Sequence, residues 1–517
     1  MLGKFLPMIG AINEFGSPAC IDQSSDANSS AYIHLRKENG WVRQSGQATC
    51  TLGHKVASGC GVEGEEGVFA EWAWDGRTLN VKNDRLGFHP LYYYCVAGEI
   101  AVSPSLVQLL RIGAPRELDE TALAVMVRFG QFLGEDTPFT AIRAAPPNAT
   151  FIWYDGHLTV EGYRTQPKEQ ALSRKNAVEA YIEAFRDAMR RRPPKGTCAL
   201  PLSGGRDSRL ILLELARSGH PPDLCMTRPR LSNNDEDIAR KLTAAAGVPL
   251  RILPFGRMTF EEHEHKLHRT NFCSLEHDTI WQVRKCLPDT VETIYDGLGG
   301  DTPSTTEVFQ TPERLKLFRA GRLEELCDGI IGRSDAVTKF LTREAAQRFG
   351  YERAKSRFLN ELSFHENTPN PVASFFFWNR TRRNLALAPY AVFGHVPQVY
   401  SPFLDADVLS LVMSLPAENQ LDFHFRDDVI STAFPEYQHV PFASKVEARP
   451  SNYRDLVELG RSVLLAVLRR RTLGHFEPTA TLPRLCALAS GISHNTRHHW
   501  YMDRLIYSIN LESVEHL

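Results

Sequence analysis

CALPLSGGRDSRLILLELARS, residues 198–218, decides the fold. A short apolar run, Cys198–Leu202, meets two glycines and then a helix-forming run from Arg209 to Ser218, which reads as strand, tight turn and helix. Upstream, Lys175–Arg192 has the spacing of an amphipathic helix, stopped by Pro193 and Pro194, which lack the amide hydrogen a helix interior needs. Downstream come a strand near Leu224–Thr227, a helix opened by Asn234 and Asp235, and a strand near Leu250–Leu253. Strands that alternate with helices pair in parallel through crossovers, so a parallel sheet with helices on both faces is expected. From about Thr311 onward the pattern is mostly helical.

Before this unit the period changes. Short runs at Gly67–Trp74, Leu79–Lys82 and Pro90–Val96 are separated by turn signals such as Asp75-Gly76 and Ala97-Gly98. Ala149–Tyr154, Asp155-Gly156 and His157–Val160 form a predicted hairpin. Leu118–Phe129 reads as a helix between strands, and the polar stretch Thr165–Arg174 as the linker to the second unit.

The 517 residues carry 59 Lys and Arg against 61 Asp and Glu, a formal net charge of −2. No domain-wide basic excess exists for a nucleic-acid partner. The clusters Arg190–Arg192 and Arg469–Arg471 close helix-like runs, where cations complement the helix C-terminus. Ten cysteines without a CxxC pair suit a reducing cytoplasm better than a disulfide framework or zinc site. No apolar run approaches the roughly 18 residues of a membrane span. Met1–Ile12 is apolar only briefly, broken by Pro7, and no small-residue cleavage site follows it, so it is not read as a signal peptide. A cytoplasmic enzyme is expected.

Ser203-Gly204-Gly205-Arg206-Asp207-Ser208 carries the chemistry. Two glycines let backbone pass close to a ligand, and the helix that follows offers unpaired N–H groups to a pyrophosphate. Asp207 is placed to hold Mg2+ on the same phosphates. No lysine follows the glycines, so this is not the loop that grips β- and γ-phosphates for phosphoryl transfer.

These residues resemble the asparagine synthetase-like enzymes, whose ATP-pyrophosphatase domain carries SGGxDS. Tyr295–Asp301 (YDGLGGD) is similar to the family's second glycine loop. Asp235-Glu236, Ser401–Asp405, and Arg426 leading to Phe442–Lys445 match in order. Asn83–Tyr93 is similar to a strand-turn segment of the family's glutaminase domain. The resemblance implies a degenerate αββα glutaminase-like sandwich at residues 1–166, followed by an ATP-pyrophosphatase α/β domain with a helical extension at 167–517. It implies ATP and Mg2+ as cofactors. Ser203, Gly204, Gly205, Asp207 and Ser208 would hold pyrophosphate and metal, Asp301 metal, Met226 adenine, and Gly297 the nucleotide through its backbone. Lys445 aligns with a lysine that β-lactam synthetases use to stabilise negative charge during amide closure.

Two departures matter. The family's glutaminase needs an N-terminal cysteine nucleophile, whereas Ile9 stands at the corresponding place and Cys20 lies too far in; no glutamine hydrolysis is expected. Leu298 replaces a Glu or Tyr of the relatives and can move no proton, so another base is required. Glu276 and His277 are titratable candidates nearby. The expected reaction is adenylation of a substrate carboxylate, then amide formation with an amine on the same small-molecule or peptide substrate. β-Lactam and lasso-peptide macrolactam synthetases work in this way. Amidation by free ammonia and a catalytically silent scaffold in a biosynthetic complex are the alternatives. His263, His265 and His268 read as a solvated helix face, His494, His498 and His499 as a surface cluster, and Phe375–Trp378 as helix core.

Overall fold

The computed structural model describes residues 30–57, 59, 65–164, 166–229, 233–254, 256–301, 310–332, 338–420, 424–444, 453–492 and 499–515. Ten strands build the first part: β1 (Ile33–Glu38), β2 (Trp41–Gly46), β3 (Thr49–Val56), β4 (Glu66–Trp74), β5 (Thr78–Asn83), β6 (Tyr92–Val96), β7 (Glu99–Ser103), β8 (Arg143–Ala144), β9 (Thr150–Tyr154) and β10 (His157–Glu161). They form two antiparallel sheets, ordered β2-β1-β7-β6-β8 and β10-β9-β5-β4-β3. Each turns an apolar face to the other. Leu35, Ile100 and Val102 share one buried core with Trp72, Val81, Phe151 and Trp153. Helices Leu106–Arg111 and Glu120–Phe129 cover the outer face of the first sheet, packing Leu109, Ala122 and Val125 with Tyr92, Tyr94 and Ala101.

The expected hairpin is present. β9 and β10 pair from Thr150↔Glu161 to Tyr154↔His157, and Asp155 and Gly156 take φ of 50° and 85°, as a two-residue turn that follows the strand twist requires. Asn83–Tyr93 is held by Asp84, whose buried carboxylate accepts the N–H groups of Leu86, Phe88 and His89 at 3.0–3.1 Å. Strands β1 to β3 lie outside the runs singled out by sequence, because their alternation is weak; β2 is exposed along nearly its whole length.

The second sheet system is parallel throughout: β11 (Thr197–Pro201), β12 (Leu224–Thr227), β13 (Leu250–Ile252), β14 (Val291–Tyr295) and β15 (Gln398–Tyr400), in the order β13-β12-β11-β14-β15. Strand order reverses between β11 and β14, which makes their C-terminal ends the topological switch point. β15 falls within the region expected to be mostly helical; three residues are too few to show a strand period. Helix Arg174–Arg190 packs Tyr181 and Phe185 on one face of the sheet. Phe377, Trp378 and Phe393 cover the other, together with Leu86 and Phe88 from the sandwich.

Phe375–Trp378 is buried as expected, each residue at 3% exposure or less. From Phe377 to Leu385 the helix is π-helical and carries buried polar side chains to the sandwich. Asn379 accepts the N–H of Gly134 at 2.9 Å, Arg382 donates to the carbonyl of Ala145 at 2.6 Å, and Arg383 donates to that of Asp136. Among the described residues, no helix is long and apolar enough to cross a membrane.

A second polar seam centres on Glu361, 2% exposed, which pairs with Arg164 at 2.6 Å and Arg357 at 3.0 Å. Arg357 also donates to Asp136 at 2.7 Å. Burial pulls the Glu361 carboxyl upward, but His365 and the two guanidiniums outweigh it and hold it well below the ordinary range. Its stabilising effect is therefore complete above about pH 4.5 and is lost as pH falls through the depressed folded value. Glu361→Gln should cost about 3–5 kcal/mol at pH 7, since it breaks a pair of ion pairs at a buried carboxylate and leaves two part-buried guanidiniums short of a partner. Chemical denaturation across pH should show the two proteins converging below pH ~4; a constant gap would refute the ionic role.

Candidate active site

Two loops meet at the switch point. Residues 202–206 leave β11 and enter helix Asp207–Arg217, while residues 296–301 leave β14. Ligands bind in the crevice at such a switch point. Glycine sets how closely the loops approach. A Cβ on Gly297 would lie 3.1 Å from that of Asp207, and one on Gly300 only 2.4 Å from the Asp207 carboxyl carbon. A Cβ on Gly204 would come within 2.7 Å of Ala443.

The backbone N–H groups divide into two sets. Ser203 N donates to Ser208 Oγ at 3.0 Å, Gly204 N to Asp235 Oδ1 at 3.0 Å, and Gly205 N to Ser203 Oγ at 3.2 Å. These bonds fix the turn. Asp235 thus takes the Gly204 N–H. No side chain caps helix Asp207–Arg217, so the donors of its first turn remain for an anion. The hydroxyls of Ser203 and Ser208 sit 3.1 Å apart beside them.

Asp207 Oδ1 pairs with Arg426 at 2.9 Å; the Asp207 side chain is 24% exposed and Arg426 only 1%. Burial pushes the Asp207 carboxyl up to about 6, against the pull of Arg426, and Asp301 adds to the push. Asp296 is likewise raised to about 6 by burial, although it accepts the N–H of Leu298 at 2.8 Å. Arg426 also donates to the carbonyl of Gly300 at 3.2 Å and to the Tyr181 hydroxyl, and lies 4.6 Å over the ring of Phe403. It thereby joins both loops to the Ser401–Asp405 segment, whose Asp405 anchors Arg191 and Arg192 at 2.6–2.7 Å.

Arg209 performs a similar task on the other side. It donates to the carbonyls of Val440 and Pro441 at 2.8 and 2.6 Å. Ala443 N bonds Gly204 O at 2.9 Å. The Pro441–Ser444 segment is thus stapled onto the first glycine loop, leading to Lys445, which lies outside the described residues. Arg209 and Asp296 were not singled out by sequence. The signal available for Arg209 was a cation within the apolar stripe of its helix.

The structure brings together Ser203, Gly204, Gly205, Asp207, Ser208, Gly297 and Asp301. Met226 lies beneath them, 1% exposed and packed with Ala199 and Leu253. Leu298 is 7% exposed in the same core. Glu276 pairs with Arg380 at 3.1 Å and accepts from Asn384 at 2.9 Å. His277 is buried against the carbonyl of Asn384 at 2.8 Å, and burial pushes its pKa down to about 4. Both base candidates therefore face the polar seam with the sandwich. Of the histidines read as a solvated face, only His265 is exposed; His263 is buried and His268 packs on Phe272 with ring centroids 5.1 Å apart. Ile9, Cys20, His494 and His498 lie outside the described residues.

Residues 48–164 match a family described as a glutamine amidotransferase domain. No curated protein matches the chain. Among solved structures, NMN synthetase from Francisella tularensis is 15% identical, with 40% of this chain and 93% of that one covered and a TM-score of 0.18. The allosteric regulatory enzyme of purine biosynthesis is 11% identical, with 38% and 50% covered and a TM-score of 0.14. Glutamine phosphoribosylpyrophosphate amidotransferase from B. subtilis, complexed with ADP and GMP, is 10% identical, with 46% and 44% covered and a TM-score of 0.14. The chain thus spans half the length or less of the last two.

Proposed function

We propose that this chain is an asparagine synthetase-like ligase, with a glutaminase-like unit at 1–166 that hydrolyses no glutamine and an ATP-pyrophosphatase unit at 167–517. It splits ATP to AMP and pyrophosphate while forming an amide between a carboxylate and an amine of its substrate. The observation that carries this reading is the uncapped N-terminus of helix Asp207–Arg217, faced by a second loop whose glycines let its backbone approach Asp207 closely.

Pyrophosphate fits the donors present: the first-turn N–H groups with the Ser203 and Ser208 hydroxyls. A cation fits Asp207 and Asp301, whose mutual repulsion helps to raise the Asp207 carboxyl. Among the described residues, no three His, Cys, Asp or Glu side chains form a metal cage of their own, so phosphate oxygens would complete the shell of Mg2+. Bound there, Mg2+ would neutralise charge on the departing pyrophosphate.

A substrate carboxyl oxygen bonds to the α-phosphorus as the bond to pyrophosphate breaks. The amine then bonds to the acyl carbon and AMP leaves. Lys445, carried by the segment stapled to Gly204, would stabilise the oxyanion. Leu298 has no proton-accepting atom, so the base lies elsewhere. The test is ATP–pyrophosphate exchange with a panel of acids and amine-bearing peptides. Mg2+- and acid-dependent exchange is expected. Absence of exchange across the panel would favour a scaffold, and an amide formed only with added ammonia would favour primary amidation.

A further inference from the structure

The amide step needs a proton acceptor, and Leu298 cannot be one. Asp296 follows Tyr295, the last residue of β14, and its N–H bonds the carbonyl of Tyr400, the last residue of β15, at 2.8 Å. The ladder Ile294↔Val399, Tyr295↔Tyr400 thus runs on into Asp296 and Ser401, side by side on adjacent strands about 5 Å apart. Alternate residues of a strand share a face. Tyr295 and Tyr400 join the core beneath helix Arg174–Arg190, whereas Ile294 and Val399 join the core that holds Leu298 with Leu86 and Phe88 of the sandwich. Asp296 and Ser401 therefore turn towards the sandwich side of the sheet.

Here the chain opens. From Thr293 to Gly300 every residue is buried except Asp296 and Gly297, which are part-exposed. Asp296 Oδ1 accepts the N–H of Leu298 at 2.8 Å, whereas Oδ2 accepts no hydrogen bond and keeps contact with solvent. Arg426 answers Asp207, and Arg191 and Arg192 answer Asp405; Asp296 has no such cation among the described residues. Ser401 is 3% exposed, and its hydroxyl has no hydrogen-bond partner. The Tyr390 hydroxyl lies beside it, outside hydrogen-bonding geometry, and is equally unpartnered. Gly297, next in the chain, brings the second loop against Asp207, so Asp296 stands one residue from the pyrophosphate cradle. Burial raises the Asp296 carboxyl to about 6, which suits a base working near neutral pH. Asp207, across Gly297, and Tyr390 are the titratable groups that face it.

We propose that Asp296 is the base of the amide step and that Ser401 holds the same attacking nitrogen, an assignment that rests on the ligase reading. A primary amine carries two N–H groups; Asp296 Oδ2 accepts one and Ser401 Oγ the other. As the nitrogen bonds to the acyl carbon, the bond from that carbon to the AMP oxygen breaks. AMP leaves with the electron pair, and the proton lost by nitrogen passes to Asp296. Adenylation releases no proton from the carboxylate, so the pair serves the second half-reaction alone.

Separating the half-reactions tests this, using the acid or amine-bearing peptide that gives the parent its fastest pyrophosphate exchange. Asp296→Asn keeps an acceptor for Leu298 N. It should hold exchange near the parent rate while amide formation falls by about 100-fold or more, the scale of general-base catalysis. Added hydroxylamine, already unprotonated near neutral pH, needs little help from a base, so its capture as the hydroxamate should survive the substitution. Ser401→Ala removes a hydroxyl that has no partner, so thermal unfolding should not move. Its amide formation should fall about tenfold with exchange unchanged, the loss of one hydrogen bond, and it is the independent arm should Asp296→Asn fail to fold. Amide formation near the parent rate in Asp296→Asn, or equal losses of exchange, hydroxamate and amide, overturns the assignment and leaves the ligase reading standing. An unchanged amide rate in Ser401→Ala overturns the part given to Ser401. A parent protein that exchanges pyrophosphate with no acid overturns the ligase reading and the assignment with it.

Discussion

Asp207→Asn should reduce formation of AMP and pyrophosphate by about 100- to 1000-fold or more, the scale of losing one electrostatic contact made in the transition state, and leave the protein folded. Asparagine keeps the volume and one acceptor for Arg426, so the buried guanidinium retains its 2.9 Å partner position, the Tyr181 hydroxyl and Gly300 O. Only the charge that a cation requires is removed. The effect on stability has a definite sign. The Asp207 carboxyl rises on folding from about 4 to about 6. The folded state therefore binds more protons across that window, and the ionised form is a net cost above it. Asn cancels that cost, so thermal unfolding of the free variant near pH 7.5 should occur no lower than in the parent. Normal turnover in the variant would contradict the metal role. Loss of turnover together with a large drop in melting temperature would reduce Asp207 to a structural residue.

Gly300→Ala should be nearly as damaging, for a steric reason alone. Gly300 is not among the residues with positive φ, so alanine suits its backbone, yet the added methyl would clash with the Asp207 carboxyl, 2.4 Å from its carbon. Either Asp207 swings away or the second loop lifts, and the loop carries the carbonyl that Arg426 holds at 3.2 Å. Overpacking of this kind costs about 1–3 kcal/mol, and a displacement near 1 Å at the reacting groups costs about 100-fold in rate. Gly205→Ala is the internal control. Its methyl would meet only Ser203 Oγ, at 3.2 Å, and a hydroxyl can rotate aside. Pre-steady-state measurement of AMP formation should rank the variants parent, Gly205→Ala, Gly300→Ala. Equal activities would mean that the loops do not close on one another at Asp207.

What could be read in advance was local. The Ser203–Ser208 turn, the helix that follows it and the β9–β10 hairpin each declare themselves within about ten consecutive residues, and the fold contains them. What could not be read depends on distance along the chain or on weak periodicity. β15 is three residues in a helical region, and β2 lacks a buried face. Arg426 reaches Gly300 across 126 positions, and Arg209 reaches Val440 across 231. Such pairs leave no mark on spacing, although Arg426 stands in a segment that resembles the family. Asp235 shows the opposite case: its place in the sequence pattern is legible, but its bond to Gly204 N gives it a task, fixing the turn, that spacing does not reveal.

Oxygen transfer tests the central claim most directly. With the reacting carboxyl group labelled with oxygen-18 and the enzyme supplied with ATP and Mg2+, the account predicts one labelled oxygen in the AMP released and none in pyrophosphate. Label in inorganic phosphate, with ADP as the nucleotide product, would contradict it.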